Sequence, residues 1–169
     1  TIGDLDGAFG LDMAVGSAGV PEGIEDPTPT AALLTGTAEG SFSIIDVSLE
    51  RPISGAIGDV DGDGVGDVVF SVRPEDNPSG AALINAAGQV RARFSGGSGA
   101  SSVVIENLDA DPNGTLDFAV ANSGSNNVTL FTYNGASFDA DVINTNESIS
   151  ALATARLAGD DRLDLLAVG

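Results

Sequence analysis

The stretch GDVDGDGVGDVVF, from Gly58 to Phe70, carries the densest chemistry in the chain. Asp59, Asp61, Asp63 and Asp67 crowd into nine residues, and an apolar run follows directly. Without a cation, carboxylates held that close raise one another's pKa and oppose folding. A hard cation turns the same repulsion into coordination, since Ca2+ takes six to eight oxygens at about 2.3–2.6 Å. In the frame Asp59-x-Asp61-x-Asp63-Gly64-Val65-x-Asp67, side chains at positions 1, 3 and 5 offer oxygens and Val65 offers its carbonyl. Asp67 closes the cage where the next strand begins. Gly64 suits the sharp reversal between them, which favours φ > 0.

Three further turns share parts of this frame. The third reads Asp109-x-Asp111-x-Asn113-Gly114-Thr115-x-Asp117, with Asn113 as a neutral oxygen donor and glycine again at position 6. The first, Asp4-x-Asp6-x-Ala8-Phe9-Gly10-x-Asp12, keeps positions 1, 3 and 9 and the Gly10 carbonyl. It loses position 5 to Ala8 and places Phe9 where glycine fits, which predicts a weaker or differently folded site. The fourth, Arg156-x-Ala158-x-Asp160-Asp161-Arg162-x-Asp164, has lost positions 1 and 3, and Arg156 or Arg162 supplies positive charge there instead. An EF-hand is excluded: its twelfth position calls for a bidentate glutamate, whereas Phe70 stands there, and the flanks read as strands rather than helices.

The rest of the chain offers little for catalysis. It has no histidine, cysteine or lysine, so the usual nucleophile–base pairs cannot be assembled within it. Tyr133, the only tyrosine, lies in an apolar strand. Arg73, Arg91 and Arg93 have the charge to neutralise a uronate, but Arg91 and Arg93 alternate along one strand as surface residues do.

These turns need rigid elements to position them, and the sequence supplies short strands. Apolar segments of five to eight residues are cut by 23 glycines, and several alternate, as in Asn127-Val128-Thr129-Leu130-Phe131. No helical period is sustained, and only Ala151 to Arg156 offers a competing short helix. Aligned on their closing aspartates, Asp12, Asp67, Asp117 and Asp164, the turns recur at spacings of 55, 50 and 47 residues. Each interval holds material for two more strands, and one strand precedes each turn. Four strands per repeat is the pattern of a β-propeller blade. The expectation is an all-β fold of about three and a half blades in one domain, with repeats near 1–52, 53–98, 99–147 and 148–169.

At the level of motifs, DVDGDGVGDVVF and LDADPNGTLDFAVANSGSNNVTLFTYNGASF resemble FG-GAP/VCBS repeats, the calcium-loop propeller blades of integrin α-subunit heads and many secreted bacterial proteins. The resemblance spans the four turns and is tightest from Leu108 to Phe138. It implies Ca2+ loops between the first two strands of a blade, with ligands at Asp59, Asp61, Asp63, Val65 and Asp67, and at Asp109, Asp111, Asn113, Thr115 and Asp117. It implies a secreted, cell-surface or periplasmic setting and a binding or adhesion role toward a protein or glycan. The Phe-Gly and Gly-Ala-Pro elements that name the family are not cleanly present.

Charge narrows the partners. With 25 acidic residues against 6 basic, all of them arginine, the formal net charge is −19. Phosphate backbones and anionic membrane surfaces are repelled, which excludes nucleic acid. The 42% hydrophobic content argues against disorder, and the apolar runs are too short for a membrane-spanning helix. The opening TIGDLDGAFG has neither a basic start nor an apolar h-region, as in a mature chain or an excerpt of a longer one. Three and a half blades fall short of a ring, which leaves two arrangements: part of a larger propeller, or a homo-oligomer of two copies supplying about seven blades. Two other roles stand beside adhesion, namely part of a carbohydrate-active enzyme such as a polysaccharide lyase, and a purely architectural unit. Sequons at Asn127 and Asn146 matter only in a eukaryotic secretory route, and a glycan on Asn113 conflicts with metal binding there.

Overall fold

Asp-rich turns and glycines cut the apolar segments before any can lengthen, and the result is a chain of antiparallel meanders. The computed structural model describes residues 1–8, 10–17, 31–74, 79–112, 114–157 and 163–169. The first sheet contains β1 (Ile2–Gly3), β2 (Asp12–Gly16), β3 (Ala31–Gly36) and β4 (Phe42–Val47). The second contains β5 (Pro52–Gly58), β6 (Asp67–Val72), β7 (Gly80–Asn85) and β8 (Val90–Ser95). In the third are β9 (Ala100–Glu106), β10 (Asp117–Asn122), β11 (Asn127–Tyr133) and β12 (Phe138–Asn144). The fourth sheet holds β13 (Ala151–Ala155) and β14 (Asp164–Val168). Within each sheet, strands lie side by side in chain order. The described residues include no helix, and the segment at Ala151 forms a strand.

The sheets are propeller-like blades. The first strand of one sheet lies beside the first strand of the next, β1 by β5, β5 by β9 and β9 by β13. Sheet faces pack between them. One core cluster joins Ala14, Leu33 and Val47 of the first blade to Val68, Phe70 and Ile84 of the second. A second joins Val69 and Leu83 to Phe118, Val120 and Phe131 of the third. Phe94, Phe118, Phe131 and Phe138 gather there with ring centroids 4.7 to 5.3 Å apart. Offset and edge-on rings at such distances add about 0.5–1.5 kcal/mol per pair beyond burial.

Burial grades from the second strand outward, and the sequence shows why. β6, DVVFSV, and β10, DFAVAN, are buried at every residue because both faces and both edges are covered. The outer strands β8 and β12 keep alternate or continuous exposure, and they carry Arg91, Arg93, Asp139 and Asp141. Charged outer strands also blunt the sheet edges against unwanted pairing.

Candidate metal centre

Each Asp-rich turn links the first strand of a blade to the second, and its closing aspartate begins the second strand. This aspartate organises the turn. In the first blade the Asp12 carboxylate is fully buried, and its Oδ2 accepts from the N–H groups of Leu5 at 2.6 Å and Asp6 at 3.2 Å. Its Oδ1 accepts from Gly36 N–H at 2.8 Å, on the third strand. In the third blade Asp117 does the same, accepting from Leu108 and Asp109 on Oδ2 and from Tyr133 on Oδ1. In the fourth, Asp164 Oδ2 accepts from Leu157 at 2.7 Å. A buried carboxylate is thus retained because it satisfies the turn's backbone donors.

These hydrogen bonds fix the register of the turns. Leu5, Val60, Leu108 and Leu157 are the equivalent residues, since each offers its N–H to the closing aspartate. Asp6, Asp61 and Asp109 are equivalent too, each accepting from the N–H two residues on, that of Ala8, Asp63 and Asp111. Between them Gly7, Gly62 and Ala110 all take a positive φ, of 69°, 75° and 58°. The third turn therefore starts at Asn107, with Asp109 at position 3 and Asp111 at position 5. Counting backward from Asp117 over nine residues shifts these turn positions by two. Two extra residues lie between Asp111 and Gly114, of which Asn113 is outside the described residues. Gly114 and Thr115 keep their places relative to Asp117, and Gly64 and Gly114 share a positive φ, of 85° and 73°. Asn107, which stands at the first position of the third turn, is not among the candidates read from the sequence. Its signal is the apolar residue after it, Leu108, which matches Leu5 and Val60.

The second turn departs from the others at its closing residue. One oxygen each of Asp59, Asp61 and Asp67 lie within 4.8 Å of one another. Asp67 is only 5% exposed, and it receives the Val60 N–H. Its Oδ2, however, is buried without any hydrogen-bond partner. Burial pushes the Asp67 carboxyl up from its ordinary 3.8 to about 7, and the charge of Asp61 adds to the rise. The Val60 N–H opposes it, while Asp63 and Asp59 raise it further. Asp59 itself is held by the N–H groups of Gly62, Asp63 and Gly64 at 2.8, 3.1 and 2.9 Å. Asp63 Oδ1 accepts from Val65 N–H at 2.8 Å, and Asp63 stands outside the converging trio.

The donor set fits a hard cation. Three carboxylates converge, all hard oxygen donors, and one buried oxygen is left without a proton donor. In the first turn Asp4, Asp6 and Asp12 also converge within 4.8 Å, but both Asp12 oxygens already accept backbone protons. Gly10, the proposed carbonyl donor, follows Phe9, which lies outside the described residues. In the third turn the Asn107 amide bridges to Asp111, donating to its carbonyl and accepting from its N–H, and Asp111 Oδ1 takes the Thr115 N–H. Of the fourth turn, Ala158 to Arg162 are outside the described residues.

Of the arginines considered for a uronate, Arg91 and Arg93 lie on the outer strand β8, and Arg73 follows β6. Arg73 bridges the second and third blades, donating through Nε to the Ala100 carbonyl at 2.5 Å and through Nη2 to Gly99 at 2.9 Å. The Tyr133 ring packs on Phe138 at 5.0 Å. No protein-family model matches this chain, and no curated protein is similar to it at a significant level.

Proposed function

We propose that the protein is a non-catalytic propeller module whose second Asp-rich turn binds Ca2+ as a structural ion, and which serves an extracellular binding or adhesion role toward a protein or glycan. The observation that carries the metal assignment is the buried, partnerless Oδ2 of Asp67 beside Asp59 and Asp61. Asp59, Asp61 and Asp67 would hold the ion, with Asp63 and the Val65 carbonyl at hand in the same turn. Bound Ca2+ supplies the positive charge that three converging carboxylates lack. The first and third turns are proposed as weaker sites, using Asp4, Asp6, Asp12 and Gly10, and Asn107, Asp109, Asp111, Thr115 and Asp117. Support for a non-catalytic role comes from a chain without His, Cys or Lys and from the structural engagement of Arg73. The FG-GAP/VCBS-like motifs agree with this reading.

The metal assignment is tested by calorimetric Ca2+ titration of the chelator-stripped protein. The expected result is saturable binding that Asp67→Asn removes; heat unchanged by that substitution contradicts the site. For the binding role, acidic and neutral glycan arrays are read for retention and for release of unsaturated products. Product release would establish a lyase and overturn the non-catalytic reading.

A further inference from the structure

Five places in this chain set an aspartate or asparagine directly before a glycine: Asp6-Gly7, Asp61-Gly62, Asp63-Gly64, Asn113-Gly114 and Asn134-Gly135. At such a pair the glycine nitrogen, once it has lost its proton, can attack the γ-carbon of the residue before it and close a succinimide ring. Glycine has no side chain to crowd that approach. Four of these five glycine N–H groups are held. Gly7 donates to the Asp4 carboxylate at 2.8 Å, and Gly62 and Gly64 donate to that of Asp59 at 2.8 and 2.9 Å. Gly114 donates to the Asp111 carbonyl at 3.2 Å. A hydrogen bond to the protonated form of a group favours that form, so these four nitrogens give up a proton less readily. Among the described residues the Gly135 N–H has no acceptor.

The hairpin between β11 and β12 also prepares the side chain that would be attacked. Asn134 Oδ1 accepts from the N–H groups of Ala136 at 3.1 Å and Ser137 at 2.9 Å. Two such donors stabilise the negative charge that gathers on this oxygen as the γ-carbon is attacked. Asn134 and Gly135 are exposed, so water reaches both. We propose that Asn134 is a site of spontaneous succinimide formation and hydrolysis, with water as the one co-reactant. The bond from Gly135 N to Asn134 Cγ forms, the Cγ–Nδ2 bond breaks, and the Gly135 proton leaves on the departing ammonia. Water then opens the ring. Addition at Cγ gives aspartate, whereas addition at the backbone carbonyl carbon gives isoaspartate, with the main chain running through Cγ. Both products alter the hairpin. The Asn134 amide donates to Asp139 Oδ2 at 3.0 Å, and a carboxylate in its place repels that oxygen. Isoaspartate also adds a methylene to the main chain beside Tyr133, whose N–H holds Asp117 Oδ1 at 3.0 Å. Conversion at Asn134 thus loosens the third Asp-rich turn.

Timed incubation of the 169-residue chain at mildly alkaline pH, folded and in urea, tests this by peptide mapping with tandem mass spectrometry. In the folded chain, residue 134 is converted ahead of residue 113 and of every other asparagine, to a mixture of aspartate and isoaspartate with release of ammonia. In urea both Asn-Gly pairs are free, and the lead of residue 134 over residue 113 disappears. Asn134→Gln, which would have to close a larger ring, abolishes conversion at that position and leaves residue 113 as in the parent. Hydrogen exchange on the converted protein is faster at the Tyr133 amide than in fresh protein. Asn134→Asp carries the charge without the longer main chain, and it raises that exchange less than isoaspartate does. A folded chain in which residue 113 converts first, or residue 134 does not convert, overturns the proposal. So does a lead for residue 134 that persists unchanged in urea, or Tyr133 exchange that conversion leaves as it was.

Discussion

Asp67 occupies the same place as Asp12 and Asp117, yet it has fewer hydrogen bonds than either. In the first and third blades a third-strand N–H, from Gly36 or Tyr133, meets Oδ1 while the turn's own N–H groups meet Oδ2. In the second blade one carboxylate oxygen stays buried and unpaired, and the carboxyl rises to about 7. The sign of the resulting pH effect follows from linkage. Between about pH 4 and 7 the metal-free folded state keeps a proton that the unfolded chain has released, so stability falls as pH rises through that window. Thermal melts in chelator should therefore drop from pH 4 to 7.5, and with excess Ca2+ the metal-induced gain should grow over the same range. A chelated melt that rises with pH would contradict the assignment of Asp67. Asp67→Asn removes the buried charge, and its melts in chelator should lie above those of the parent near neutral pH.

At the scale of elements, the turns and strands were legible for different reasons. Strands such as β6 and β10 announce themselves because DVVFSV and DFAVAN are apolar on both faces. The meander order follows from short connections and from the recurrence of the closing aspartate. The third turn's register was not legible, since nine-residue spacing from Asp117 fits its carboxylates as well as the correct start does. Only the backbone bonds to Leu108 and the positive φ of Ala110 separate the two. Nor does sequence reveal which closing aspartate keeps an unpaired oxygen, because the donors that reach Asp12 and Asp117 from Gly36 and Tyr133 lie on a strand far along the chain from the turn. Two substitutions examine this level. Ala110 holds a left-handed conformation that costs a non-glycine residue about 1–2 kcal/mol, so Ala110→Gly should raise stability by about 1 kcal/mol in urea unfolding. No gain would argue against the register. Gly66 sits where an added Cβ would meet the Asp4 carbonyl at 2.4 Å and the Leu5 Cα at 2.9 Å. Gly66→Ala should accordingly cost about 1–3 kcal/mol, as overpacking against backbone does, and loosen the first and second turns together.

Across the whole molecule, the acidity and the fold are reconciled if cations hold the turns. A chain of 25 acidic and 6 basic residues builds two apolar clusters between blades, and it places its most crowded carboxylates where one blade's turn touches the next. Self-repulsion at a net charge of −19 lowers the stability of the compact state, and Ca2+ bound as proposed would offset part of it. A ligand that binds the folded state alone adds about 2.7 kcal/mol at a hundred times its Kd. The most direct test is the melting temperature of the parent and Asp67→Asn proteins, each in chelator and in saturating Ca2+ at pH 7.5. A large upward shift in the parent that is absent or much reduced in Asp67→Asn is the predicted result. An equal shift in both proteins, or none in either, would show that the second turn is an acidic loop and not the cation site.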